Sequence, residues 1–169
     1  MGADNWCTPP EVADPLEQLF NGPVDVDPCS SPRSIIKARR AYLAGGLLLP
    51  WCIDGRPGTV YKNDPYSKAT AWMTKTLAEI AYGNVTEIVS MSMMATSTQW
   101  WADMCNVPKR NPRILALKRL EFLDPHASTA GMTRSSCRFE PALVYIGRRH
   151  AAFTQTFAHL TRWATWGRS

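Results

Sequence analysis

Apolar residues recur at helical spacing in PEVADPLEQLF and predict a helix over 10–20, with Pro15 as an early irregularity. Val24-Asp25-Val26-Asp27 alternates and predicts a short strand that runs into a Pro-Cys-Ser-Ser-Pro loop. The stretch from Ser34 to Leu43 reads as a helix, broken by Gly45-Gly46, and a turn-rich region follows from Pro50 to Gly58. Gly58 to Tyr61 is β-prone and leads into the polar stretch YKNDPYS, residues 61–67. An amphipathic helix is predicted over Thr70–Tyr82, ended by Gly83-Asn84, and a buried strand over Thr86–Met94. Ser97-Thr98 can cap a helix carrying Trp100, Trp101 and Met104. Ile114–Lys118 and Leu120–Leu123 are β-prone, and a loop rich in Ser and Thr follows from Asp124 to Ser136. Ala142–Gly147 is the last predicted strand, and Phe153–Trp166 a closing helix.

Strands that alternate with helices predict an α/β layered sheet, mainly parallel and flanked by helices. A chain of 169 residues is expected to form one compact domain that buries its own core, with 148–169 as a basic, helical C-terminal extension. In open sheets of this kind, sites form in loops at the carboxyl ends of strands. Two loops qualify, 27–32 and 63–67.

Composition narrows the class. No apolar run is long enough to span a bilayer. The segment MGADNWCTPPEVAD lacks the pattern of a secretion signal, and Trp6 occupies the position where a myristoylation signal needs Ser or Thr. The expectation is a cytoplasmic protein without membrane contact. The five cysteines, Cys7, Cys29, Cys52, Cys105 and Cys137, are odd in number and form no Cys-x-x-Cys, which argues for free thiols and against zinc. His126, His150 and His159 are too scattered for a metal site. The net charge of +5 is unevenly spread. Arg33, Lys37, Arg39 and Arg40 share a segment without an acid, and no acid follows Glu140. Such an excess favours a polyanionic partner.

Several ordered pieces of the chain carry a resemblance. They are Asp4-Asn5-Trp6-Cys7-Thr8-Pro9-Pro10, Val24-Asp25-Val26-Asp27-Pro28, Gly46-Leu47 with Trp51, and Asn63-Asp64-Pro65-Tyr66-Ser67 with Trp72 and Lys75. Further along come Ala95 to Trp101, Lys118-Arg119-Leu120-Glu121-Phe122, and Arg138-Phe139-Glu140-Pro141-Ala142-Leu143-Val144. Together, in order and spacing, they resemble the small phage-type DNA N6-adenine methyltransferases. The resemblance implies a Rossmann-like class I methyltransferase fold, S-adenosylmethionine as cofactor, DNA as partner, and the bacterial host cytoplasm as location for a phage-encoded chain.

The chemistry fits these residue types. The exocyclic amine of adenine is a weak nucleophile because its lone pair is delocalised into the ring. Acceptors that hold its two hydrogens let the lone pair localise. The side-chain carbonyl of Asn63 and the main-chain carbonyl of Asp64 are the expected acceptors. Pro65 stiffens the turn and Tyr66 stacks on a base flipped out of the duplex. The family's usual form is Asn-Pro-Pro-Tyr; Asp64 keeps the main-chain acceptor, removes a proline and adds a carboxylate. Asp25 and Asp27 alternate on a strand and face opposite ways. Asp27, nearer the loop, is the stronger candidate for the ribose hydroxyls or the methionine amine. The resemblance adds Trp6, Thr8, Pro9, Asp25 and Pro28 to the cofactor contacts, beside Asp27 and Asn63. Ser67, Lys68, Arg119, Arg134 and Arg138 are the candidate DNA contacts, with no metal expected. Two other readings stay open: a methyltransferase-like binding protein without turnover, and an amino-methyltransferase acting on cytosine N4 or RNA.

Overall fold

The computed structural model describes residues 7–123, 134–136 and 139–165. The helices are α1 (Pro10–Phe20), α2 (Ala69–Ala81), α3 (Gln99–Cys105) and α4 (His150–Thr156). The strands are β1 (Val24–Asp27), β2 (Ala38–Ala41), β3 (Cys52–Ile53), β4 (Arg56–Lys62), β5 (Val85–Met93), β6 (Arg113–Leu117), β7 (Glu121–Leu123), β8 (Arg134–Ser136), β9 (Pro141–Ile146) and β10 (Thr161–Thr165). The sheet runs in the order β2-β1-β4-β5-β9-β6-β10, with β3 paired to β4.

The sheet is mixed, where a mainly parallel one was expected. β2, β1, β4 and β5 are parallel, whereas β9 runs against both β5 and β6, and β10 runs against β6. Because β9 lies between them, β5 and β6 point the same way. The carboxyl ends of β1, β4, β5 and β6 therefore share one rim of the sheet.

Alternation along the strands builds two cores. Val89, Leu143 and Tyr145 face α1 and α4, where Val12, Leu16 and Phe153, with Phe157 just past α4, cover them. Ile88, Val144, Val26 and Val60 face α2 and α3 through Trp72, Met73, Trp101 and Met104. The result is a three-layer α/β/α arrangement. Both Trp100 and Trp101 are buried, so neither is displayed as a stacking platform. Among the described residues, no helix is long and apolar enough to cross a membrane.

Three expected elements differ. Residues 34–43 hold no helix: Ala38–Ala41 is an edge strand whose side chains alternate between half-buried and exposed. Parallel pairing with β1 supplies its backbone partners, and Arg39 and Arg40 diverge to Asp25 and to the Cys52 carbonyl. The expected closing helix stops at Thr156, and a short 3-10 turn, Ala158–Leu160, leads into β10. β10 covers the open edge of β6, and Thr161-Arg162-Trp163-Ala164-Thr165 already carries β-prone residues at every second position. The Ser/Thr-rich loop is also not all loop, since Arg134–Ser136 pairs with β7.

Candidate active site

β1 and β4 are parallel neighbours, with Val26 opposite Val60, yet β1 leads to β2 on its other side. At such a reversal the loops leaving two strands diverge and open a crevice at their carboxyl ends. A cavity of about 230 Å³ occupies this place, with Thr8, Asp27, Cys29, Gly46, Asn63 and Trp72 in its walls. The 44–46 loop can close one side only because residue 46 is glycine. A Cβ there would fall 1.7 Å from the Pro28 carbonyl oxygen.

Asp27 ends β1 and is buried. Its Oδ1 accepts from the Cys29 N–H at 3.2 Å, and the Ser30 and Ser34 hydroxyls also donate to it. Loss of water outweighs these bonds and pushes its pKa up to about 6. Burial, reinforced by the charge of Asp27, raises the Cys29 thiol well above its ordinary range, so this wall thiol stays protonated and unreactive.

Asn63 follows the last residue of β4. Its Nδ2 donates to the Thr8 hydroxyl at 3.3 Å, and that hydroxyl lies 2.7 Å from the Tyr61 hydroxyl. Tyr61 is fully buried, and burial raises its pKa well above the ordinary value. With Nδ2 turned to Thr8, Oδ1 is the acceptor end of the amide. Asp64 is buried too, and its carboxylate is ion-paired with the Lys62 ammonium, also buried. Lys62 and Asp64 lie two residues apart, which places both on one face of the chain leaving β4. Pro65 at φ −56° opens a 3-10 turn over Tyr66–Lys68. The half-buried Tyr66 ring meets Phe139 edge-on at 4.7 Å, and Phe139 rests against Phe122.

The other predicted site residues divide. Pro28 lines the cavity beside Asp27. Asp25 does not: its carboxylate takes the Thr59 N–H at 2.8 Å and the Thr59 hydroxyl at 3.0 Å, facing Arg39. Gly58 beside it has no room for a Cβ. Pro9 is turned to helix initiation, its carbonyl accepting from Val12 and Ala13. Ser67 and Lys68 are exposed next to Tyr66, and Arg119 is exposed just past β6 on the same rim. Arg134 belongs to β8, opposite Leu123. Trp6 and Arg138 lie outside the described residues. The basic segment is less open than its composition suggested, because Lys37, Arg39 and Arg40 pair with Glu17, Asp25 and Asp54.

Sequence reasoning missed Tyr61 and Lys62. Strand alternation offered a signal for Lys62, since it places Lys62 beside Asp64. Nothing local announced the contact of Tyr61 with Thr8, which is 53 residues away.

Among the described residues, no group of three or more His, Cys, Asp or Glu side chains could hold a metal ion. No curated protein is significantly similar to the chain. The family model for DNA N-6-adenine-methyltransferase (Dam) matches residues 2–164, nearly the whole sequence and all of the crevice between β1 and β4, and the chain belongs to that family of DNA adenine methyltransferases.

Proposed function

We propose that the chain methylates the N6 amine of an adenine flipped out of DNA, using S-adenosylmethionine, on a Rossmann-like class I methyltransferase fold. The observation that carries this reading is the amide of Asn63. It lines the cavity at the end of β4, and its Nδ2 donates to Thr8, which fixes the orientation of the amide.

The cavity suits the cofactor in its donor set. Asp27 offers a buried carboxylate to a cationic amine or to ribose hydroxyls. Trp72 lines the same cavity, packing against Gly46, and adds an aromatic wall. Thr8, Pro28 and Asn63 complete the cofactor contacts. When bound, S-adenosylmethionine supplies a methyl group activated by a sulfonium.

Asn63 Oδ1 and the main-chain carbonyl of Asp64 hold the two hydrogens of the amine. That grip concentrates the nitrogen lone pair in the direction of attack. Pro65 fixes the turn that sets the two acceptors side by side, and Tyr66, braced by Phe139, stacks on the purine. The contribution of these groups is position and electrostatics, with no covalent bond to the protein. Ser67, Lys68 and Arg119 engage the phosphate backbone around the flipped base.

Two measurements test the reading. Nucleoside mass spectrometry of DNA from cells expressing the chain should show N6-methyladenine, and calorimetry should show S-adenosylmethionine binding. Binding without any N6-methyladenine would point to a DNA-binding relative that has lost turnover. A methyl group on cytosine N4 or on RNA would reassign the substrate.

A further inference from the structure

Lys62 is an unusual residue to find inside a fold. Its side chain is 1% exposed, and its one described partner is the Asp64 carboxylate. Lysine is rarely buried unless paired, because its ammonium loses strong hydration. The pair closes β4 and flanks Asn63, which lines the cavity.

The pair lies at the position where the turn departs from its usual Asn-Pro-Pro-Tyr form. A proline at position 64 would lock φ there through its ring. Asp64 has no such lock. Pro65 restricts only the other side of that residue, because a residue before proline is held to extended ψ values. The Lys62 ammonium holds the Asp64 side chain to the end of β4 and supplies the missing restraint. It also cancels a carboxylate that would otherwise stand alone in the interior, next to the turn that carries Tyr66.

We propose that Lys62 is a positioning residue of this site: by anchoring and neutralising Asp64, it holds the Asp64 main-chain carbonyl where the amine must be gripped. The inference rests on reading Asn63–Tyr66 as the adenine-binding turn. The ion pair is this chain's own replacement for a rigid, uncharged proline. Removing Lys62 should therefore damage turnover, and removing both charges while restoring the proline should repair it.

The test compares the unaltered chain with K62M and with the K62M/D64P double variant, on unmethylated genomic DNA with S-adenosylmethionine. Each is assayed below its own melting transition. K62M should lower kcat about 100-fold, the scale of one mispositioned electrostatic contact. Its cofactor Kd should stay within roughly threefold, because uniform binding is untouched. The double variant should recover kcat to within roughly tenfold of the unaltered chain, a coupling expected only of residues that act as a pair. A purely structural pair would move the melting temperature and leave kcat alone. K62M with full kcat therefore overturns the assignment, as does a folded double variant no faster than K62M. Should K62M fail to fold, the double variant decides by itself: folding with restored kcat supports the assignment, and any other result overturns it. An unaltered chain that binds S-adenosylmethionine but leaves no methyl on DNA refutes the proposed function, and Lys62 with it. Unaltered turnover with unchanged K62M refutes Lys62 alone.

Discussion

Two acid–base pairs sit toward opposite ends of the neighbouring strands β4 and β5, and they are built differently. At the end away from the cavity, Arg149 donates to both Glu87 oxygens at 3.0–3.1 Å and to the Leu19 carbonyl at 2.6 Å. Its guanidinium lies over the Phe20 ring, and Glu87 also takes the Tyr145 hydroxyl at 2.6 Å. One planar side chain thus ties the end of α1 to β5 and β9, with every bond satisfied and the arginine partly in solvent. At the carboxyl end of β4, Lys62 and Asp64 are almost fully buried and have each other. The first pair is a clamp that many contacts share. The second is a narrow restraint next to a cavity, where losing either member leaves a charge in the interior. A buried charge of that kind adds little net stability; its place beside the acceptor turn is what gives it a use.

The comparison predicts which changes strike activity and which strike stability. The largest effect falls on the acceptor itself. Asn63→Ala should cut kcat about 100- to 1,000-fold, while cofactor affinity by calorimetry stays near that of the unaltered chain. An active Asn63→Ala protein would remove the distinction between the two pairs.

Asp27→Asn should come next, and it separates binding from folding. Asp27 ionises near 3.8 when unfolded and at about 6 when folded. The folded state therefore keeps the proton through that window, and the fold loses about 3 kcal/mol of relative stability as pH rises across it. Asparagine carries no such loss. The variant should be more stable than the unaltered chain at pH 7.5, by up to about 3 kcal/mol in denaturant unfolding, and close to it near pH 4. Cofactor affinity should fall at least about tenfold, the trade expected where a site keeps a costly charge for its ligand.

Arg149→Met should do the reverse. With the partly exposed arginine discounted for solvent screening, unfolding should become easier by about 2 kcal/mol. The kcat should be unchanged wherever the protein is folded. A matching drop in kcat would mean that the two ends of the strands are coupled through β5.

The smallest effect belongs to the exposed cations of the rim. Lys68→Ala or Arg119→Ala should weaken DNA binding several-fold and reduce the salt slope of log K by about one each, without altering stability. An unchanged slope would place the phosphate contacts elsewhere.

Much of the framework was legible in the residues. Apolar spacing marked α1, and the β-prone runs marked β1, β4, β5, β6 and β9, because periodicity reports which faces will be buried. The turn at 63–66 was also legible, since its chemistry resides in four consecutive residues. The misreadings share one cause. Ala38–Ala41 and Thr161–Thr165 are edge strands whose neighbours, β1 and β6, complete them through backbone bonds. The side chains of Ala38–Ala41 carry little of that information, and the alternation in Thr161–Thr165 is too short to outweigh the helical pattern before it. Alternation set Asp25 and Asp27 on opposite faces and favoured Asp27, but only the packed structure supplied the partners, Thr59 for one carboxylate and the cavity for the other.

The sequence by itself determined the layered α/β class, the carboxyl-end loops where a site could form, and the amide and carbonyl proposed to grip an amine. These follow from local pattern and from functional groups that are present whatever the fold. The tertiary structure alone decided that β1 and β4 adjoin at the reversal of the sheet, and that Thr8 reaches across 55 residues to orient Asn63. It also decided that the Asp64 carboxylate is met by Lys62 in the interior. The reason is physical: charge pairing and amide orientation depend on distances of a few ångströms, and those exist only after distant segments have packed.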